Sequence, residues 1–314
     1  MEIYRGSDKI GARARGCVMT IGNFDGLHLG HRALLDAVVT RARALGRPAA
    51  VYTFDRHPRR VLQPQTPLPR LSSSEQLEYE LSRAGADLLI IEPFTPELSS
   101  LSAEEFVQSV LIDRIGPAEV IVGRDFRFGR GRSGSDETLR QQLPKTGVRV
   151  DVITQVFAAG GDVSSTRIRQ LLASGSVEEV ARCLGRDYEV WGRVVEGDRR
   201  GRTLGFPTAN LAPDNELIPA SGVYATTVRM LEGGIPTGPV YPSVTNVGTR
   251  PTFEAGRVRV EAHLLDFAGD LYGRRIALGF HARIREERRF SGPDELKERI
   301  RQDAAEARKL LASK

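Results

Sequence analysis

The sequence predicts an α/β domain built on a parallel sheet, followed by a small antiparallel β-barrel and a C-terminal helix. In the first half, short β-branched runs alternate with amphipathic segments, which is typical of parallel strands joined by crossover helices. Later strand patterns follow one another with only Gly-, Pro- and Asp-rich turns between them, so those strands should pair antiparallel and close into a barrel. The predicted domains are residues 1–186 and 187–314.

Five apolar runs predict the strands of the parallel sheet. They are Val18–Phe24, Ala49–Phe54, Leu88–Phe94, Val120–Gly123 and Val148–Val156. Ser72–Glu75 and Ser102–Glu105 each match a capping box and should open a helix. A last helical stretch, Thr166–Leu184, is interrupted at Ser174–Ser176 and completes the domain.

Five further runs predict the barrel. They are Tyr188–Val195, Gly222–Met230, Tyr241–Gly248, Arg257–Phe267 and Arg275–Ile284. Pro293 then begins a charged helix that runs to about Leu311.

Composition limits the classes of function. The chain has 45 Lys and Arg against 40 Asp and Glu, and the net charge of +5 is spread along it, so nucleic acid is not an expected partner. No window is long and apolar enough to span a membrane, and the N-terminus lacks a signal-peptide pattern. We expect a cytoplasmic protein without a membrane partner. Cys17 and Cys183 lie far apart and lack metal-ligand spacing.

The segment Gly22–His31 follows the first strand and contains two histidines three residues apart. A strand-to-helix turn presents free backbone N–H groups and the positive end of the helix dipole, which favour phosphate. Glycines allow a nucleotide to approach the backbone, and two imidazoles can hold a polyphosphate. The candidate phosphate-binding residues are Gly22, Asn23, Asp25, His28, Gly30 and His31. The alternative is a tight turn with surface histidines.

Three more segments follow predicted strands, where ligands bind in open α/β folds. They are Thr53–Pro58, Val122–Gly129 and Val163–Arg169. In the last segment, hydroxyls can cap a helix while two arginines can neutralise β- and γ-phosphates. The residues concerned are Ser164, Ser165, Thr166, Arg167 and Arg169. An ordinary capped surface helix is the alternative.

In this order, the four segments resemble the adenylyltransferase module of the bacterial bifunctional riboflavin kinase/FMN adenylyltransferase family. The resemblance implies that the FMN phosphate attacks the α-phosphate of ATP, with Mg²⁺ bridging oxygens and pyrophosphate leaving. It assigns charge stabilisation to His28, His31 and Arg167. Since the attacking phosphate is already ionised near neutral pH, no general base is needed. Further flavin or nucleotide contacts fall on Phe54, Asp125, Phe126 and Arg127.

The barrel half contains a glycine-rich turn followed by a P-T-A-N segment, within Gly201–Asn210. Gly201 and Gly205 suit phosphate approach, and the side-chain oxygens of Thr208 and Asn210 suit Mg²⁺. This segment resembles the riboflavin kinase motif. Three later segments recur in that family in the same order: Gly222–Tyr224, Asn246–Phe253 and Leu271–Gly273.

Glu261 lies in a strand whose alternation puts Val258, Val260, Ala262 and Leu264 on the opposite face. The resemblance makes Glu261 the catalytic base, and the chemistry agrees, because the primary hydroxyl of riboflavin must lose a proton when it attacks the γ-phosphate. The alternative is a surface glutamate paired with Arg259 or His263.

The sequence therefore predicts a two-domain enzyme that uses ATP and Mg²⁺ to convert riboflavin to FMN and FMN to FAD. Two rival functions remain. Residues Gly129–Gly134 match G-x-G-x-x-G, the fingerprint of a dinucleotide-dependent oxidoreductase, although Phe126–Phe128 separates these glycines from the preceding strand. A flavin or nucleotide sensor without turnover is the second rival.

Overall fold

The computed structural model describes residues 1–153, 157–158, 161–197, 206–249, 258–288 and 290–312. The chain forms two compact units. One consists of Met1–Pro69 and Leu77–Asp162, and the other of Arg70–Gln76 and Val163–Lys314. Residues 163–186 thus group with the barrel, whereas the predicted functional boundary lies at residue 186; that boundary stays a prediction.

The first unit is built on a six-stranded, all-parallel sheet with strand order β1-β4-β3-β2-β5-β8. The strands of this unit are β1 Glu2–Arg5, β2 Val18–Ile21, β3 Ala49–Phe54, β4 Leu88–Glu92, β5 Glu119–Gly123, β6 Arg127–Phe128, β7 Gly134–Ser135, β8 Arg149–Ile153, β9 Phe157–Ala158 and β10 Gly161–Asp162. The predicted parallel sheet is confirmed. Strand β1 was not predicted because it has four residues and no apolar run.

Helices cover both faces of the sheet, which is why its central strands are apolar throughout. The helices in this part of the chain are α1 Leu29–Leu45, α2 Pro58–Leu62, α3 Ser74–Arg83, α4 Pro96–Ser100, α5 Ala103–Phe106 with a π-helical continuation Val107–Ile115, and α6 Asp136–Gln142. Leu35 and Val38 of α1 pack on one face, and Phe106 and Val110 pack on the other.

The two predicted capping boxes have different outcomes. Ser102 and Glu105 form the expected reciprocal pair at the start of α5. At α3 the box is shifted by one residue, because Ser73 and Gln76 exchange the side-chain to backbone bonds. Glu75, the residue expected in that role, instead accepts two hydrogen bonds from Arg275 at 2.9 and 2.6 Å. The ion pair with Arg275, 200 residues away in the sequence, therefore takes Glu75 out of the predicted capping box.

The second unit is a closed six-stranded barrel with strand order β11-β12-β15-β14-β13-β16. Its elements are α7 Ser165–Ser174, α8 Val177–Leu184, β11 Tyr188–Val195, β12 Ala209–Pro213, β13 Gly222–Glu232, β14 Ile235–Thr249, β15 Val258–Leu264, β16 Arg275–Arg285 and α9 Pro293–Ala312. The barrel and its C-terminal helix are confirmed. Helix α9 packs Ala307 against an apolar cluster on the barrel.

Strand β12 was not recognised from the sequence, which reads as a turn after Pro207. Its strand conformation comes from antiparallel pairing with β11 on one side and β15 on the other. Within the described residues, no helix combines the length and apolar character needed to cross a membrane.

Candidate functional sites

The first candidate site lies at the carboxyl edge of the parallel sheet. From β2, the chain places β3 and β4 on one side and β5 and β8 on the other, so the direction of winding changes between β2 and β5. Open α/β sheets bind ligands at such a switch point. The loops that follow β2 and β5 contain the predicted residues Gly22–His31 and Asp125–Arg127.

The loop after β2 turns sharply before α1 begins. Gly26 adopts a φ of 83° and Leu27 a φ of 38°, and a left-handed backbone of this kind favours glycine at the first position. Phe24 and Leu27 are buried in the loop and pack into the same apolar cluster as Leu35 and Val38 of α1. Gly22 is also constrained, because a Cβ there would lie 3.3 Å from the ring of Phe24.

His28 and His31 form a stacked pair at the N-terminus of α1. His28 is the N-cap residue, and its Nδ1 accepts a hydrogen bond from the backbone N–H of His31 at 3.3 Å. The two rings lie 3.6 Å apart at an interplanar angle of 15°. This bond uses the Nδ1 lone pair of His28, so a neutral ring carries its proton on Nε2.

His31 is held in its neutral form. Burial, and then the neighbouring His28, lower the pKa of His31 well below 6.5. Its Nδ1 is buried and has no hydrogen-bond partner within the described residues. A buried imidazole nitrogen without a partner suits a ligand atom, since such groups are normally hydrogen-bonded. Neutral rings can still donate to phosphate oxygens, while the helix dipole supplies positive potential.

The other predicted residues at this edge of the sheet are aromatic, charged, polar or glycine. Phe54 ends β3 and contacts Phe94 edge-on, with centroids 5.3 Å apart. Phe126 stacks on Phe128 at 5.3 Å, while Asp125 and Arg127 are exposed. Of the phosphate candidates, Asn23 and Asp25 are half-buried in the loop after β2, and Gly30 lies in the first turn of α1.

The G-x-G-x-x-G segment does not have the geometry of a dinucleotide fingerprint. It joins β6 to β7, which pair antiparallel with each other and lie outside the parallel sheet. A Cβ at Gly129 would come within 2.8 Å of the Ala103 backbone, and one at Gly134 within 2.8 Å of the Ala103 and Phe128 side chains. These glycines are required by packing, and the oxidoreductase alternative is wrong.

The predicted Ser164–Arg169 segment begins α7, in the second compact unit. Ser164 is the N-cap residue and accepts a hydrogen bond from the backbone N–H of Arg167 at 3.2 Å. Ser165 and Arg169 are half-buried and Thr166 is exposed. The hydroxyl-capped helix start is as expected; the assignment to phosphate stays a prediction.

The second candidate site is a cleft of about 250 Å³ in the barrel unit. Thr208 and Glu261 line it from the barrel, together with Leu296, Ile300 and Asp303 from α9. The cleft therefore combines apolar walls with polar groups, as ligand sites usually do. Gly201 and Gly205 lie outside the described residues.

Glu261 occupies the centre of a polar row across three strands. In the barrel register it lies directly opposite Asn210 on β12 and Asn246 on β14. Arg259, two residues earlier on the same face, places Nε 3.3 Å from Glu261 Oε1. Thr208 and Glu261 thus line the cleft, and Asn210 is the register partner of Glu261. The ion pair of the alternative interpretation, between Glu261 and Arg259, is also present.

Sequence reasoning missed the charged groups that close the cleft. Arg285 makes a two-pronged ion pair with Asp303, from Nε to Oδ1 at 3.1 Å and from Nη2 to Oδ2 at 2.8 Å. Glu287 accepts a hydrogen bond from Asn246 Nδ2 at 3.4 Å. A signal was present for Asp303, because it interrupts the apolar stripe of α9 formed by Leu296, Ile300 and Ala307, and a carboxylate there needs a partner.

Comparison with known proteins gives consistent results for both halves of the chain. The family model for FAD synthetase matches residues 11–167, and the one for riboflavin kinase matches residues 184–311. A bifunctional riboflavin kinase/FMN adenylyltransferase of Pseudomonas fluorescens is 40% identical over 99% of this chain and 98% of its own length. A bifunctional riboflavin kinase/FMN adenylyltransferase of Escherichia coli K12 is 39% identical over 99% of this chain and 98% of its own length.

A crystal structure from Streptococcus pneumoniae has a TM-score of 0.89 and 30% identity, and the match covers 98% of this chain and 99% of the other. Its title names a macrolide-efflux protein. The two chains share the whole two-part fold.

Proposed function

Because the chain belongs to the bifunctional riboflavin kinase/FMN adenylyltransferase family, we propose that it phosphorylates riboflavin to FMN and adenylylates FMN to FAD, using ATP in both steps. The observation that carries this proposal is the pairing of two chemically different sites in one chain. One has a carboxylate in a cleft, which suits deprotonation of a hydroxyl, and the other has two imidazoles at a helix N-terminus, which suit phosphate.

In the kinase reaction, the primary hydroxyl of riboflavin attacks the γ-phosphorus of ATP, and ADP leaves. Glu261 accepts the hydroxyl proton. Asn210 and Asn246 flank Glu261 in the strand register and limit the orientations open to its carboxylate. Arg259 compensates its charge. The apolar walls provided by α9 suit a flat, largely apolar ring system.

In the adenylyltransferase reaction, the FMN phosphate attacks the α-phosphorus of ATP, and pyrophosphate leaves. His28 and His31 donate hydrogen bonds to phosphate oxygens, and the N-terminus of α1 adds the helix dipole. Arg167, and Arg169 beside it, neutralise the β- and γ-phosphates of the leaving group. Proton removal plays no part, so positioning and charge stabilisation account for the rate enhancement. Asp125, Phe126 and Phe54 supply flavin or nucleotide contacts.

Mg²⁺ is the metal that this chemistry requires. The donor set fits it in the barrel, since Thr208 offers a hydroxyl and Asn210 an amide oxygen, and Mg²⁺ prefers oxygen ligands. Space for Asn210 depends on Gly197, where a Cβ would come within 2.2 Å of the amide. When bound with ATP, the ion neutralises phosphate charge. Cytoplasmic location and the absence of a nucleic-acid partner remain predictions.

Product analysis tests the proposal. Purified protein incubated with riboflavin, ATP and Mg²⁺ should yield FMN and then FAD on chromatography, with one ADP per FMN formed and one pyrophosphate per FAD. Chelation of Mg²⁺ should stop both products. Tight flavin binding without any product would contradict the enzymatic proposal and favour the sensor.

A further inference from the structure

His263 on β15 fixes the segment of chain that leads into β12. It lies two residues after Glu261, so the alternation of the strand puts both side chains on the face that lines the cleft. The Nδ1 atom of His263 lies 2.8 Å from the carbonyl oxygen of Pro207. Because a carbonyl oxygen can only accept a hydrogen bond, Nδ1 is the donor. A side chain of one strand therefore holds the backbone that enters the neighbouring strand.

Strand pairing does not extend to this segment. The ladder between β12 and β15 begins at the pair of Ala209 and Ala262, and Ala209 is the first residue of β12. Pro207 has no backbone N–H and cannot donate to a ladder, although its carbonyl oxygen still accepts. The ring of Phe206 meets the imidazole of His263 edge-on, with centroids 5.5 Å apart and an interplanar angle of 85°. His263 thus makes two contacts with the chain just before the ladder.

Thr208 is the residue between these two attachments. The strand register, continued by one residue from Ala209 and Ala262, sets Thr208 opposite His263. Opposite residues of an antiparallel pair project to the same face, and both side chains line the cleft. On one side of Thr208 the backbone is held by the hydrogen bond to Pro207, and on the other side by the ladder. Loss of the first attachment would free the hydroxyl of Thr208 to move.

We propose that His263 is a positioning residue for phosphoryl transfer, acting through Pro207 on the hydroxyl of Thr208. The inference rests on the proposed function, in which Thr208 offers an oxygen to the Mg²⁺ that accompanies ATP. Removal of a group that orients a metal ligand typically lowers affinity or activity about 10- to 100-fold. The loss should fall on the use of ATP and spare riboflavin, whose apolar walls come from α9.

The test compares His263→Leu, which removes the donor, with His281→Leu as the matched control. His281 is also a half-buried histidine on a barrel strand, but its Nδ1 lies 3.5 Å from Asp187 and it is not among the residues that line the cleft. For His263→Leu we expect kcat/KM for ATP in riboflavin phosphorylation to fall about tenfold. The KM for riboflavin and the rate of FMN adenylylation should stay within twofold of wild type. His281→Leu should leave all three within twofold.

Two further measurements separate positioning from a general loss of structure. Asparagine carries its amide nitrogen on Cγ, as histidine carries Nδ1, so His263→Asn can still donate to Pro207 and should recover most of the lost activity. Hydrogen exchange of the ligand-free chain gives a readout that does not depend on activity. The amides of residues 208–210 should exchange faster in His263→Leu than in wild type, and at the wild-type rate in His281→Leu.

A double variant tests the route through Thr208. If His263 acts on this hydroxyl, adding His263→Leu to Thr208→Ala should cause little further loss of kinase activity, because coupled residues are not additive. Full additivity with Thr208→Ala, no recovery in His263→Asn, or unchanged use of ATP in His263→Leu would overturn the inference and leave the proposed function in place. A wild-type chain that forms no FMN would overturn the proposed function and, with it, the inference.

Discussion

The two candidate sites differ in the part of the fold that holds their chemical groups. In the first unit, His28 and His31 stand on the first turn of α1, so a helix N-terminus provides both the ligands and the positive potential. In the barrel, Glu261 stands in the middle of β15, between two asparagines on neighbouring strands. A phosphate nucleophile needs only positive surroundings, whereas a hydroxyl needs a base. In the proposed function, the difference in nucleophile accounts for this difference in architecture.

Glu261→Gln should have the largest effect of all the variants, and the effect should fall on the reaction of the barrel unit. Loss of the base should lower riboflavin phosphorylation about 10²- to 10⁴-fold, while FAD formation from supplied FMN stays within twofold of wild type. Steady-state rates of the two half-reactions provide the measurement. Glu287→Gln is the control, because the amide can still accept the hydrogen bond from Asn246. Comparable loss of kinase activity in the control would remove the special role of Glu261.

His28→Asn should have the next largest effect, on the other reaction. Asparagine is a good N-cap residue, so α1 should keep its start while the imidazole is lost. We expect FMN adenylylation to fall about 10²- to 10³-fold, as for removal of a charge-stabilising donor, with kinase activity retained.

Ser102→Ala is the control for His28→Asn, because it removes a helix N-cap and leaves both imidazoles in place. It removes the capping box of α5 and should cost about 1 kcal/mol of stability while adenylylation persists. If both variants lost adenylylation equally, capping rather than imidazole chemistry would explain the result for His28.

Asp303→Asn tests how far the barrel site depends on α9. Asp303 is 2% exposed and paired with Arg285, and removal of one partner of a buried pair costs about 3 kcal/mol or more. Urea unfolding followed by fluorescence reports on the barrel, because Trp191 is the single tryptophan of the chain. Asp266→Asn, which disrupts the exposed ion pair between Asp266 and Arg308 of α9, should change the midpoint far less. An equal shift in both variants would contradict the role of burial.

The smallest expected effect concerns the charge of His31. Because burial lowers its pKa well below 6.5, the folded chain keeps the ring neutral where the unfolded chain would protonate it. Its contribution to stability is therefore complete above about pH 6.5 and declines as the pH falls, by up to about 1.4 kcal/mol per pH unit.

His31→Gln should remove this pH dependence between pH 7.5 and 5.5. Urea unfolding followed by circular dichroism measures this pH dependence of stability. The fluorescence of Trp191, which lies in the other unit, should not show the pH dependence. His281→Gln is the matched control. An unchanged pH dependence in His31→Gln would mean that the ring is not neutral in the folded chain.

Local patterns predicted most of the fold and the motif residues, but not the contacts made at long range. The turn from strand to helix within Gly22–His31 was predicted from the residues of that segment alone. The N-cap role of His28 was not, because N-cap preferences favour Ser, Thr, Asp and Asn. Strand β12 and the shifted capping box at Ser73 depend on partners far away in the sequence. The same holds for Asn246 opposite Glu261, which follows from strand register, and for the hydrogen bond from His263 to Pro207.

The most direct test of two separable sites in one chain is a mixing experiment. His28→Asn and Glu261→Gln variants are each incubated with riboflavin, ATP and Mg²⁺, alone and combined, and flavins are separated by chromatography. We predict FMN only from the first variant, unchanged riboflavin from the second, and FAD from the mixture, because FMN released by one variant is adenylylated by the other. A mixture that forms no FAD, or a single variant that forms FAD from riboflavin at the wild-type rate, would contradict the account.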